Sequence, residues 1–325
     1  MPRPTPPPAT PPPATPPAQP AATELLANAL DQRWQSCRDQ LKRCRQEKLA
    51  PDAVHDLRVA IRRLLALLDL LADLPPLPGS LRAVRKPLRR LLDALSRLRD
   101  SQVQCQLAAK LAAPDATTRR LFRRWLAGRE AKRRPRARQR LLAFPAGQWA
   151  KPFRQAACGL RTAAAAEPAR ERCRRAVRQP LEEAWRDAEK RRQRLSPTDP
   201  HSLHRLRLAL KEYRYALEAL LPLLPPGGDH LLRQLRAAQT RLGGIQDLRV
   251  QAALLAKCAA QAPAAAAGRL SGLEKSVHRR LARRGRAFLA AAARAPIPAP
   301  SPGFADSLAL AVRRWPNGCR NRNRA

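Results

Sequence analysis

The chain has 325 residues and carries 64 Lys+Arg against 25 Asp+Glu, which gives a formal net charge of +39 and a pI of about 11.7. The β-branched and aromatic residues that strands prefer are scarce, so a large sheet is excluded and an all-α fold is predicted. Such a charge repels itself unless a polyanion shares the surface, which favours nucleic acid, inorganic polyphosphate or an anionic membrane as the partner.

The cysteines and histidines do not form a recognisable metal or disulfide pattern. The seven cysteines are scattered from Cys37 to Cys319 without a Cys-x-x-Cys motif, and the five histidines lack metal-ligand spacing. We therefore predict no metal and no cofactor, and a reducing compartment. There is no hydrophobic signal core and no apolar run near the ~20 residues that cross a bilayer, so a cytoplasmic protein without a membrane span is expected.

The chain begins and ends with proline-rich segments. Residues 1–20 hold 11 of the 33 prolines and are predicted to be a disordered tail. Residues 294–325 form a second tail rich in proline and arginine, and the sequence does not identify partners for either tail. Between them, residues 21–293 are rich in helix formers. Helix ends are predicted at the breaks Pro51, Pro75–Pro78, Pro114, Pro145, Ser196–Pro200, Pro222–Gly228 and Pro263.

An internal repeat divides this central region. The segment VHDLRVAIRRLLALLDLL from Val54 returns 149 residues later as LHRLRLALKEYRYALEAL from Leu203. A second segment, LSRLRDSQVQ from Leu95, returns 147 residues later as LGGIQDLRVQ from Leu242. Two elements in the same order at nearly equal offsets predict two homologous helical halves, residues 21–165 and 166–293.

The repeated helix carries positive side chains at helical spacing beside a buried apolar stripe. Spacings of three and four residues place them above one another on one helix face, about 5–6 Å apart. A helix built only for solubility would alternate charge signs along such a face, so a stack of cations indicates side chains that donate hydrogen bonds to phosphate groups. The first basic column comprises His55, Arg58 and Arg62, and the second basic column comprises His204, Arg207, Lys211 and Arg214. A pseudo-twofold arrangement of the halves is predicted to bring both columns to one basic cavity.

Four further residues belong to this prediction. Arg89 and Arg236 occupy equivalent places on the next helix of each half and are expected to face the same cavity. Asp100 and Asp247 are predicted to be structural supports that pair with an arginine of the basic face and orient it. A solvated basic face remains an alternative for a single helix. Each histidine either donates a hydrogen bond to phosphate or is a structural residue whose hydrogen bonds are made within the fold.

These motifs resemble a known family. The pattern H-x-L-R-x-A-hydrophobic-K/R, the RD-x-x-V element at Arg99–Val103 and the LG-x-x-x-D element at Leu242–Asp247 resemble the CHAD domain, the histidine α-helical domain, over about 270 residues. The resemblance implies two helical bundles related by pseudo-twofold symmetry around a basic cavity that binds inorganic polyphosphate, and an association with polyphosphate granules. Carried over by motif, the ligands would be His55, Arg58, Arg62, Arg89, His204, Arg207, Lys211, Arg214 and Arg236.

The sequence also departs from a perfect repeat. Leu65 stands where the second copy has the cation Arg214, so the first column is one charge shorter. Ser96 stands where the second copy has Gly243. The two halves are therefore not expected to contribute equally to the cavity.

The sequence favours a binding module over an enzyme. It lacks the GxxxxGK[ST] and GxGxxG loops and the E-x-E-x-K strand of triphosphatases, and its one adjacent carboxylate pair, Glu182 and Glu183, does not share a helix face. Non-catalytic polyphosphate binding is predicted. Because an arginine column does not discriminate phosphodiesters from phosphoanhydrides, a helical protein that binds nucleic acid non-specifically remains the alternative. Few aromatic residues are available for base stacking, and no helix-turn-helix spacing is visible.

Overall fold

The computed structural model describes residues 22–73, 79–111, 115–162, 167–199, 201–220 and 228–299. Within these ranges the chain forms α-helices and one 3₁₀ turn (Leu71–Asp73) and no strand, so the predicted all-α class is confirmed. The helices are α1 (Ala22–Gln46), α2 (Pro51–Leu70), α3 (Gly79–Ala83), α4 (Arg85–Ala109), α5 (Ala116–Leu142), α6 (Ala146–Thr162), α7 (Glu167–Gln193), α8 (Ser202–Ala219), α9 (Gly228–Ala259) and α10 (Ala264–Arg294).

Several of these helices begin where proline was expected to interrupt the chain. Pro51 is the first residue of α2, a position where its missing N–H group costs no hydrogen bond. Pro263 lies directly before α10, and Pro145 lies directly before α6. The predicted breaks at Pro75–Pro78, Pro114 and Pro200, and residues 222–227 of the break before α9, lie outside the described residues, as do residues 1–20 and 300–325.

The turn between α1 and α2 sets the start of the first basic column. Lys48 and Leu49 adopt left-handed backbone conformations, with φ of 47° and 64°. The amide of Leu49 donates to the carbonyl of Cys44 at 3.1 Å, which closes the end of α1. The Leu49 side chain is buried, and its carbonyl accepts a hydrogen bond from Nε2 of Gln102 at 3.1 Å. Tertiary contacts therefore hold this conformation, which non-glycine residues seldom adopt.

The two repeated helices, α2 and α8, pack directly against each other. The apolar stripe of α2 is fully buried at Leu57, Ile61 and Leu64, and that of α8 is buried at Leu206 and Leu210. Burying each such side chain contributes about 1.5–3 kcal/mol. Because the stripes are turned inward in this way, the adjacent basic columns lie at the edge of the α2–α8 contact.

The hydrophobic core consists of two clusters, and each contains residues from both predicted halves. The larger cluster joins α1, α2, α4 and α6 to α7, α8 and α9. The smaller cluster packs Phe122 and Leu126 of α5 against Leu255 of α9 and Leu273 of α10. The halves 21–165 and 166–293 therefore share their cores, and the division into two symmetry-related bundles remains a prediction from the sequence.

The first residues of the predicted C-terminal tail are packed against the fold. Ile297 is buried, its amide donates to Oε2 of Glu189 at 3.1 Å, and its carbonyl accepts from Nε1 of Trp185 at 3.2 Å. The hydroxyl of Tyr213 donates to the carbonyl of Pro298 at 3.1 Å. Residues 295–299 are thus attached to α7 and α8. Among the described helices, none combines the length and the apolar character needed to span a membrane.

Candidate anion-binding cavity

The basic columns of α2 and α8 meet at a cavity of about 350 Å³. One more helix, α9, contributes to its wall. The lining side chains are His55, Val59, Arg62 and Arg63 from α2, Arg207, Lys211, Arg214 and Tyr215 from α8, and Gln239 from α9. Two members of the first basic column and three members of the second are therefore in one cavity, although they are about 150 residues apart in sequence.

The pKa of Lys211 responds to burial and to the other positive charges at this cavity. Its pKa is lowered from 10.5 to about 8, chiefly by burial and then by the charges of Arg62, Arg207 and Arg58. These three arginines come from both α2 and α8. An anion that entered the cavity would reverse this perturbation, because a nearby negative charge favours the protonated ammonium.

Arg58 lies in the wall beside the cavity and is not one of the lining side chains. Its Nε donates to Oγ of Ser96 at 3.2 Å. Burial, followed by the charge of Arg62, lowers its pKa to about 10. Since Ser96 replaces the glycine of the second copy, this hydrogen bond belongs to the first half alone.

The two histidines of the columns have different surroundings. His55 is exposed at the cavity's edge, and its pKa is lowered by partial loss of hydration and then by the charge of Arg99. His204 is half-buried beside the cavity, and its Nδ1 lies 3.2 Å from Oε1 of Gln246 on α9. The contact with Gln246 orients the His204 ring.

A buried carboxylate, Glu218, holds one side of the cavity together. Only 3% of its side chain is exposed, and it forms ion pairs with Arg214 at 2.8 Å, Arg63 at 3.1 Å and Arg236 at 3.1 Å. Its backbone carbonyl also accepts from Nη2 of Arg33 at 3.2 Å. Burial acts to raise the pKa of Glu218, but Arg214 and Arg63 outweigh it and the pKa lies below its usual value. Arginines from three helices, α2, α8 and α9, therefore converge on one ionised carboxylate, and Arg33 of α1 binds the backbone of the same residue.

The arginines predicted on the next helices are engaged by carboxylates. Arg236 of α9 is paired with Glu218, as above, and Arg89 of α4 is paired with Asp69 at 3.4 Å. Arg85 also pairs with Asp69. Neither Arg89 nor Arg236 is among the lining side chains of the cavity. The structure thus places both at the carboxylates that follow the columns rather than in the cavity itself.

Asp100 and Asp247 act on the cavity arginines at longer range than the sequence suggested. Among the described residues, neither forms an ion pair within 4.0 Å, so the predicted direct pairs with arginine are absent. Asp100 instead raises the pKa of Arg58 without contacting it. The pKa of Asp247 is raised, first by burial and also by Asp100, while Arg207 acts to lower it. The spacing of residues along the sequence does not show that Asp247 is buried or that the two carboxylates repel each other.

Tyr215 and Gln239 are lining residues that the sequence did not assign. The guanidinium of Arg214 lies 4.5 Å from the centroid of the Tyr215 ring, and Nζ of Lys211 lies 6.0 Å from it, both within cation–π range. Nε2 of Gln239 donates to the carbonyl of Leu210 at 2.7 Å, which ties α9 to α8. The position of Tyr215 next to the column was a usable signal, whereas Gln239 reaches the cavity only through helix packing.

The described residues contain no group of three or more His, Cys, Asp or Glu side chains arranged to hold a metal ion. Within the described part of the chain, the chemistry available in the cavity is therefore that of guanidinium, ammonium, imidazole, phenol and amide groups. These groups bind anions through charge and through N–H donors.

Comparison with known proteins places this arrangement in a family. No match was found among curated protein sequences. The fold resembles a solved structure described as the CHAD domain from the plant Ricinus communis, with a TM-score of 0.63 and 24% identity over 86% of this chain and 94% of that one. It also resembles PptA from Streptomyces chartreusis, with a TM-score of 0.55 and 19% identity over 85% of this chain and 100% of that one. The CHAD domain matches residues 28–256, and the chain therefore belongs to the CHAD domain family.

Proposed function

We propose that this protein binds inorganic polyphosphate, without catalysis, in the cavity between α2 and α8. The observation that carries the proposal is the convergence of Arg62, Arg207 and Lys211 on one cavity of about 350 Å³, with the pKa of Lys211 lowered to about 8. Positive charge concentrated in a partly dehydrated space is stabilised by a polyanion.

The shape of the site favours a thin, flexible polyanion over a duplex. The cavity walls are helices α2, α8 and α9, and α8 packs against both α2 and α9. A single chain of phosphates can enter such a space, whereas duplex DNA contacts cations on an outer surface. The lining also offers one aromatic ring, Tyr215, which Arg214 already covers, so stacking of bases has little support here.

The lining residues also support a binding role rather than phosphoryl transfer. They comprise cations, a valine, a tyrosine and a glutamine, and no lining carboxylate is available to hold Mg²⁺. Metal-assisted phosphoryl transfer depends on such ligands. Incubation with polyphosphate and Mg²⁺ or Mn²⁺ should release no orthophosphate. Turnover that a cavity substitution abolishes would refute the non-catalytic reading.

A competition experiment tests the ligand. Labelled long-chain polyphosphate is displaced by unlabelled polyphosphate or by duplex DNA at matched phosphate concentration and one salt concentration, because salt changes both affinities. Polyphosphate should displace the label at a much lower concentration than DNA. Arg207→Ala should weaken binding more than Arg136→Ala, which removes an exposed cation on α5. Equal displacement by DNA, or equal effects of the two substitutions, would contradict the proposal.

We extend the proposal to the association with polyphosphate granules. A fluorescent fusion of the full chain in cells that accumulate polyphosphate should concentrate at the granules. The same fusion carrying Arg207→Ala and Lys211→Ala should be diffuse. Granule localisation that survives these substitutions would assign recruitment to another part of the chain.

A further inference from the structure

We propose that Glu218 and Asp69 are specificity-determining residues that end the two basic columns and limit how many phosphates the protein binds. The inference rests on the proposed function and adds the determinant of its site size. Its starting point is the spacing of the helices, because an acid follows the cations on each basic face: Glu218 directly after Arg214 on α8, and Asp69 after the apolar Leu65 on α2.

On α8, the positions 204, 207, 211, 214 and 218 follow one another at spacings of three and four residues, so they lie on one face. The cations from His204 to Arg214 extend over roughly 15 Å at 1.5 Å per residue, and Glu218 takes the next position. On α2 the corresponding positions are 55, 58, 62, 65 and 69, which end at Asp69. Both faces therefore carry an acid at the fifth position, which follows Arg214 on α8 and the apolar Leu65 on α2.

Glu218 is placed to act as a fixed negative charge. Its side chain is 3% exposed and accepts from Arg63, Arg214 and Arg236, so it is held in position from α2, α8 and α9. Two of these arginines, Arg63 and Arg214, also line the cavity. A phosphate chain that advanced along α8 past Lys211 would meet guanidinium groups that are already paired, followed by a carboxylate.

Asp69 has the same chemistry in a different environment. Its side chain is 45% exposed, and it pairs with Arg85 and with Arg89 at 3.4 Å, both from α4. Arg89 and Arg236 occupy equivalent places in the sequence repeat. Arg89 pairs with Asp69 and Arg236 pairs with Glu218, so the two acids have equivalent arginine partners. Because Asp69 is exposed, a role in core packing does not account for its charge.

Each acid has two effects on a bound polyanion. It engages arginines that would otherwise contact phosphate, and it repels any phosphate that approaches it. Neutralising the acid should therefore release cations and lengthen the usable column. Each additional phosphate contact steepens the dependence of log K on log salt by about 0.7 for a single-stranded polyanion. A purely structural ion pair would instead change stability and leave the salt slope unchanged.

The test compares the full chain with Asp69→Asn and Glu218→Gln. The dissociation constant for long-chain polyphosphate is measured at a series of salt concentrations, and titration to saturation gives the number of phosphates occluded per protein. Glu189→Gln is the matched control, because Glu189 has a 15% exposed side chain paired with Arg192, and both residues lie on α7 and belong to neither column. The expected result is a salt slope steeper by about 0.7–1.4 and a larger site size in the column variants, with the control unchanged.

The outcomes separate this inference from the function on which it rests. A wild-type chain that fails to bind polyphosphate overturns the proposed function. Wild-type binding with an unchanged slope and site size in the column variants overturns only the role of the two acids. If Glu218→Gln does not fold, Asp69→Asn decides the question, because its side chain is exposed and its loss leaves the core intact.

Discussion

The charge state of Lys211 should make the proposed polyphosphate binding depend on pH. In the free protein its pKa is about 8, lowered by burial and by Arg62, Arg207 and Arg58. A polyphosphate in the cavity should raise this pKa towards the ordinary value of 10.5, because phosphate charges favour the protonated ammonium. Between these two values, binding should take up one proton, and affinity should fall as the pH rises.

The two pKa values set the size of the effect. Below about pH 7, Lys211 is protonated in both states and contributes no pH dependence. Above pH 8 the affinity should fall by up to tenfold per pH unit, or about 1.4 kcal/mol, which amounts to a Kd up to about 30-fold higher at pH 9.5 than at pH 7.

Folding without ligand should respond in the opposite direction. The unfolded chain, with an ordinary lysine pKa near 10.5, binds more protons than the folded chain between pH 8 and 10.5. The contribution of Lys211 to the free energy of unfolding therefore rises with pH in this window. Stability and affinity moving in opposite directions distinguishes Lys211 titration from general alkaline unfolding.

The assay is fluorescence anisotropy with labelled polyphosphate from pH 7 to 9.5 at constant salt, with calorimetry in two buffers of different ionisation enthalpy to count protons. Lys211→Arg is the control, since a guanidinium keeps its charge to higher pH and should flatten the profile. A constant wild-type Kd over this range, or the same slope in Lys211→Arg, would refute the reasoning.

Three further predictions concern stability. Tyr213→Phe should lower the free energy of unfolding by about 1 kcal/mol in denaturant melts, because it removes the 3.1 Å hydrogen bond to the Pro298 carbonyl; no change would show that this bond contributes nothing net. Leu57→Ala should cost about 2–5 kcal/mol, since Leu57 is fully buried, and a loss below 1 kcal/mol would contradict that packing. Asp115→Ala should lower the melting temperature, because the Asp115 side chain accepts from the Thr118 amide at 2.7 Å. Hydrogen bonding with Thr118 also lowers the pKa of Asp115, so the difference in melting temperature between the two proteins should shrink as acid protonates this carboxylate. A pH-independent difference would contradict capping by the carboxylate.

The sequence by itself determined the features that depend on neighbouring residues. The all-α class follows from composition, the starts of α2 and α10 follow from Pro51 and Pro263, and the basic faces follow from spacings of three and four residues. These are local properties of a helix, so a single sequence is enough to predict them.

Only the tertiary structure decided which cations act together. It brings Arg62 to Arg207 and Lys211 in one cavity, but it binds Arg58 to Ser96 in the wall and pairs Arg236 with the buried Glu218. Such choices depend on how α2, α4, α8 and α9 pack, because that packing sets which groups lose water and which charges meet although they are about 150 residues apart in sequence. Helical spacing identifies the face on which a side chain lies, whereas the partner on that face is set by helix packing.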